Sequence, residues 1–208
     1  NRRLGIQKAK NIKLNRDKVV KQKMEDVLYH AQISKDLEPL LAKIKVKDSD
    51  VKNYYAKHPE YRTSHILFRL TVNADQKQTN AAFNTMMDVA KKIKKNPESF
   101  TQLANKYSQS SAAPTGGDLG FQPAIRLAPQ YFSAINGKKP GYIHYVPVRS
   151  QFGFHLIKVL GVKKFKEIDT NLYKKIVYDQ KRDKIMARYF NEMRKKASIK
   201  INKKNLNG

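Results

Sequence analysis

From Asp17 onward, apolar residues return at helical spacing: Val20, Met24, Val27, Leu28 and Ala31 fall on one stripe. Leu40, Leu41 and Ile44 follow. Asp48 or Ser49 then opens a short helix that carries Val51, Tyr54 and Tyr55 and ends before Pro59. These helices are strongly amphipathic, and nothing near them in sequence covers their stripes. They need a partner. Residues 1–14 are basic and without periodicity, and the reading predicts that they fray.

The texture changes in the middle third. "SHILFRL" (64–70) reads as a strand. Asp75 opens a helix whose stripe is Ala82, Met86, Val89, Ala90 and Ile93. Asn96-Pro97-Glu98 starts another, with Pro in its first turn and Phe100, Leu103, Ala104 and Tyr107 on one side. "YSQSSAAPTGGDLGF" (107–121) is predicted to be loop, "APQYFSAI" a short helix, "GYIHYVPV" an irregular extended piece and "GFHLIKVL" (153–160) a strand. That order gives an α+β unit of about a hundred residues. A long helix is predicted from Asp169 to about Lys196. It has two apolar clusters, Leu172 and Ile176, then Ile185, Met186, Tyr189, Phe190 and Met193, around a charged middle. "SIKIN" (198–202) alternates like a strand.

Charge narrows the function classes. The net charge of +26 divides into +7, +9 and +10 over residues 1–61, 62–162 and 163–208. A nucleic-acid groove concentrates its charge and interleaves aromatics with it, so this even spread argues against specific nucleic-acid binding. It suits acidic clients or a weak attraction to anionic membrane surfaces. With no cysteine there are no disulfides or thiolate sites, which fits an oxidising compartment. The chain opens on Asn1 rather than Met, so a removed signal peptide is expected.

Candidate chemistry is sparse. No histidine pair has zinc-ligand spacing, and no G-x-S-x-G occurs. "GGDLG" lacks the G-K-[ST] of a phosphate loop, and its acid would repel phosphate. Gly116, Gly117 and Gly120 instead permit a tight turn that Asp118 pins through backbone amides. Two histidines sit on strands. Alternation places His65 on the face of Leu67, and His155 on the face of Ile157 and Val159.

In order, "SHILF", an amphipathic helix, "FTQLANKYSQSSAAPTGGDLGF" and "VRSQFGFHLIKV" resemble the parvulin family of peptidyl-prolyl isomerases across Tyr61 to Gly161. The flanks resemble those of SurA-like periplasmic chaperones and PrsA foldases, in which helices on either side of the parvulin domain fold together. The resemblance implies a small antiparallel sheet wrapped by helices (61–162), inserted between an N-terminal helical segment (1–60) and a long helix plus strand (163–208). It implies His65, Ser110 and His155 as catalytic residues. Among the substrate-binding positions it implies, Leu119, Leu127, Tyr131 and Phe154 would line the proline slot or its rim and Ser150 would supply a hydroxyl near the floor, while Gly117, Asp118 and Gly120 form the structural turn. No cofactor and no metal are implied. Ser110 departs from the Cys or Asp usual in the family, and as a neutral group it implies weaker catalysis. The basic cluster of phospho-specific parvulins is missing, since only Arg69 and Lys77 occupy that region.

The function implied is an extracytoplasmic isomerase and chaperone for unfolded secreted or outer-membrane proteins and their Xaa-Pro segments. The alternative is a client-binding module with an idle parvulin domain. The polar middle of the long helix is also compatible with a homodimer that exchanges its terminal helices.

Overall fold

The computed structural model describes residues 1–71 and 73–198. Its helices are α1 (Arg2–Asn11), α2 (Lys18–Leu41), α3 (Asp48–Lys57), α4 (Gln76–Lys95), α5 (Phe100–Tyr107), α6 (Pro129–Ile135) and α7 (Thr170–Lys196). Its strands are β1 (Tyr61–Arg69), β2 (Asp118–Gln122), β3 (Ile143–Ser150) and β4 (Gly153–Val162). The strand expected over 198–202 lies, from residue 199 on, outside the described residues. The chain divides into two compact units: Asp48–Tyr173, and Asn1–Lys47 with the segment from Lys174 onward.

In the first of these, four antiparallel strands take the order β2-β1-β4-β3. β1 and β4 form the centre, with Leu67 opposite His155 and Phe68 opposite Phe154. Alternation gives the sheet two apolar faces. On one, Ile66, Phe68, Phe154 and Leu156 pack with Met86, Val89 and Ile93 of α4 and Phe100 of α5. On the other, Tyr61, Ile157 and Val159 pack with Tyr131 and Ile135 of α6. α4 starts where its sequence says it should: Asp75 accepts from the Gln78 amide at 2.7 Å, and Gln78 Oε1 accepts from the Asp75 amide.

This unit extends past 61–162 at both ends. The rings of Tyr55 in α3 and Tyr173 meet edge to face at 5.1 Å. Glu60, 3% exposed, pairs with Lys163, and the Lys163 amide bonds the Glu60 carbonyl. α3 and the start of α7 therefore close the sheet's open end.

Two expectations fail locally. The segment 107–121 is not all loop: it contains a 3-10 turn (Ala113–Thr115) and enters β2 at Asp118. β2 pairs with β1 across a register shift, a non-local arrangement that short-range pattern does not encode. Residues 2–11 form helix α1 instead of fraying, although the helix buries none of its residues. Arg, Lys, Leu, Gln and Ala are good helix formers without a stripe to reveal them.

The helical unit is looser. Asp17 caps α2, accepting from the Val19 and Val20 amides at 3.0 Å. The Tyr189 hydroxyl of α7 donates to Asp36 of α2 at 2.7 Å. Val19, Met24, Val27 and Leu28 remain exposed. Among the described residues, no helix is long and apolar enough to cross a membrane.

Candidate active site

The sheet face under α6 carries a line of polar side chains, buried except for the half-buried Ser110 at one end. Ser110 Oγ lies 2.8 Å from His65 Nε2, His65 Nδ1 lies 3.3 Å from His155 Nδ1, and His155 Nε2 lies 2.6 Å from Ser150 Oγ. The two imidazoles are 6% and 4% exposed. Burial pushes His65 down to about 4. Burial also pushes His155 down to about 3, helped by the neighbouring His65 and by Arg149. Both rings are therefore neutral near pH 7, each with a single N–H.

This proton count admits two arrangements. In one, Ser110 donates to His65, His65 to His155, and His155 to Ser150. In the other, every bond is reversed. The Ala112 amide donates to Ser110 Oγ at 3.2 Å and the Phe152 amide to Ser150 Oγ at 3.1 Å, so both hydroxyls have acceptor capacity occupied in either arrangement. Only in the second is the Ser110 O–H free to donate to a ligand.

Local sequence positions each member. Ser110 does not cap α5. It is held because Ser108 Oγ accepts from the Leu67 amide at 3.0 Å, the Gln109 amide bonds the Leu67 carbonyl, and Gln109 Oε1 accepts from the Arg69 amide. These bonds lay residues 108–110 along β1 just past the end of β2. Ser150 and His155 meet because β3 and β4 form a tight hairpin, with Ser150 opposite Gly153.

The turn before β2 passes directly over His65, whose amide bonds the Gly117 carbonyl at 2.9 Å. Gly117 has φ of 80°, and a β-carbon there would lie 2.2 Å from the His65 carbonyl oxygen. Asp118 accepts from the Gly120 amide at 2.9 Å and forms a two-pronged ion pair with Arg62, which holds its carboxyl below the usual range.

Around the line stands an apolar wall. The Tyr131 ring meets His155 edge-on at 5.4 Å and His65 at 6.1 Å. Its hydroxyl donates to Thr63 Oγ1 at 2.9 Å. Leu119 and Leu127 pack against the cluster that contains Tyr131. Phe154 is not part of this wall. It lies on the opposite face, 5.5 Å from the Phe83 ring, because neighbours on a strand point to opposite sides. Sequence reasoning missed Thr63, Arg62, Ser108 and Gln109. Thr63 stands two residues before His65 on the same strand, so its shared face was readable; the others depend on the path of the loop.

Comparison with known families agrees with the geometry. Residues 65–161 match the model of the rotamase family, the PPIC-type PPIASE domain. The chain carries a parvulin domain. It is homologous to PrsA foldases and parvulin-type isomerases. Foldase protein PrsA of Caldanaerobacter subterraneus subsp. tengcongensis is 30% identical over 92% of this chain and 64% of its own length. A probable parvulin-type peptidyl-prolyl cis-trans isomerase of Bordetella pertussis is 28% identical over 76% of this chain and 57% of its own. The chain thus spans less than two thirds of these relatives. The crystal structure of the PrsA peptidylprolyl isomerase from Bacillus anthracis superposes with a TM-score of 0.53 at 28% identity, over 96% of this chain and 88% of that one.

Proposed function

We propose that the parvulin domain catalyses peptidyl-prolyl cis-trans isomerisation and that the whole chain acts as an extracytoplasmic foldase for unfolded polypeptides. The observation that carries the first part is the unbroken hydrogen-bonded line from Ser110 through His65 and His155 to Ser150, beneath an apolar wall.

Rotation about an Xaa-Pro bond costs roughly 20 kcal/mol because it breaks amide resonance. No covalent intermediate is required. A site lowers the barrier by binding the twisted amide better than either planar form. In the twisted state the proline nitrogen regains its lone pair and becomes a hydrogen-bond acceptor. With the line in its second arrangement, the Ser110 hydroxyl supplies a donor, while Leu119, Leu127 and Tyr131 hold the ring away from water. The neutral histidines stabilise that orientation of the hydroxyl without introducing a buried charge.

The homology to foldases supports the chaperone part. Isomerisation of a short Xaa-Pro peptide, followed by a protease-coupled or NMR exchange assay, tests the catalytic part. Acceleration that falls about tenfold or more in His65→Ala and in His155→Ala is the expected result. A rate equal to that with an inert protein would leave only the second reading, a client-binding module with an idle domain. The neutral Ser110 is the observation that favours it.

A further inference from the structure

The helical unit holds a groove of about 520 Å³ between the end of α2 and the middle of α7. Leu40, Ile44 and Ile185 form its apolar floor. Five cations line it as well: Lys43, Lys45, Lys181, Lys184 and Arg188. None of the lining residues is acidic. Lys181 Nζ donates to the Lys45 carbonyl at 2.8 Å and so ties one wall to the other. The nearby acids of α7 are occupied, because Arg182 pairs with Asp179 at 2.7 Å and with Asp183 at 2.8 Å. Among the described residues, Lys43, Lys184 and Arg188 form no ion pair.

Lys43, Lys184 and Arg188 stand around an apolar floor and repel one another, with no ion pair of their own among the described residues to offset this. Their complement is an anionic partner with an apolar anchor. We propose that this groove binds polypeptide segments in which large apolar side chains are flanked by Asp or Glu. The anchor enters between Leu40, Ile44 and Ile185, and the flanking acids meet Lys43, Lys184 and Arg188.

A second copy of this chain is a poor occupant: it carries 17 acidic residues against 43 basic ones and has no acidic run. A phosphate polymer would leave the floor unused. A lipid surface calls for projecting apolar residues, whereas these line a concavity. The proposal rests on the reading of the chain as a binder of unfolded polypeptide, to which it adds a substrate class.

The test uses the full chain and fluorescence anisotropy. The probes are a short labelled peptide of alternating Leu and Glu, its Leu/Lys counterpart, and a Glu/Ser peptide of equal charge. The Leu/Glu peptide should bind at least tenfold more tightly than either control. Lys184→Glu with Arg188→Glu should weaken it about tenfold or more. Arg2→Glu with Arg3→Glu, the same charge change on α1, should leave it within about twofold. Leu40→Ser should lower Leu/Glu binding and leave the Glu/Ser peptide unchanged.

Equal losses in both charge-reversed pairs, or equal binding of the Leu/Glu and Glu/Ser peptides, would overturn the proposal in favour of unspecific attraction. Loss of binding to phosphatidylglycerol vesicles alone, with peptide binding unchanged, would assign the groove to membrane surfaces. Failure to bind any unfolded polypeptide, neutral ones included, would overturn the chaperone reading itself. Isomerase rates measured on the same variants should not move.

Discussion

Gly117 lies so close over His65 that any side chain would collide with the histidine's own backbone: a β-carbon would sit 2.2 Å from its carbonyl oxygen. The contact sets the height of the turn above the strand, and with it the entry into β2. Gly117→Ala combines this clash with a positive φ and should destabilise the domain by about 3 kcal/mol or more. Gly120→Ala has a similar φ of 66° but open space around it, so it should cost only about 1–2 kcal/mol. Urea unfolding of the two variants makes the comparison, and equal losses would mean that the close approach contributes nothing.

Acid should unfold the parvulin domain early. The folded-state pKa values of His65 and His155, about 4 and about 3, lie below the ordinary value of 6.5. Above pH 6.5 both states hold neutral rings and nothing is lost. As pH falls from about 6.5 toward 4, the unfolded chain takes up protons that the folded one refuses, so stability drops. His65 alone accounts for roughly 3 kcal/mol by pH 4. Unfolding midpoints at pH 7.5, 6 and 5 check this, and His65→Asn should flatten the slope. A midpoint constant across that range would contradict neutral buried rings.

Ser110 controls the rate if its hydroxyl faces the substrate. Ser110→Ala should lower kcat/KM about tenfold, the value of one hydrogen bond of about 1.4 kcal/mol. Ser110→Asp exchanges that donor for an acceptor-only carboxylate beside His65 and should lower kcat/KM at least as far as Ser110→Ala does. It should also raise the His65 pKa, which an NMR titration of the ring would read. An unchanged rate in both variants would remove Ser110 from the chemistry.

Phe154 separates the two faces of the sheet. Phe154→Ala should cost about 3–5 kcal/mol of stability by emptying the core under α4. Phe154→Leu, which folds with a smaller loss, should keep kcat/KM within about twofold. A tenfold rate loss in the Leu variant with an unshifted unfolding midpoint would place Phe154 in the proline slot after all.

These residues also mark what could be read from sequence. The start of α4 at Asp75, the stripe that ends in Ile93 and the shared face of His65 and Leu67 are local, so pattern exposed them. The same alternation that put His155 beside Ile157 already implied the far side for Phe154. The family resemblance pulled it the other way. β2 stayed hidden because its five residues only half bury and pair with β1 from more than fifty positions away, across a register shift. Ser110 could be named from its motif, but the Ser108 and Gln109 bonds that aim it at His65 exist only once β1 is in place. α1 buries nothing, so no periodicity announced it.

The aromatic contact of Tyr55 with Tyr173, and the 2.6 Å bond from the Tyr55 hydroxyl to the Lys163 carbonyl, place the first and last turns of the parvulin unit at one seam. The chain enters and leaves this cassette almost at the same point. Its own packing therefore closes the gap between the two flanking segments, and the rest of the chain bears little loop-closure entropy for carrying it.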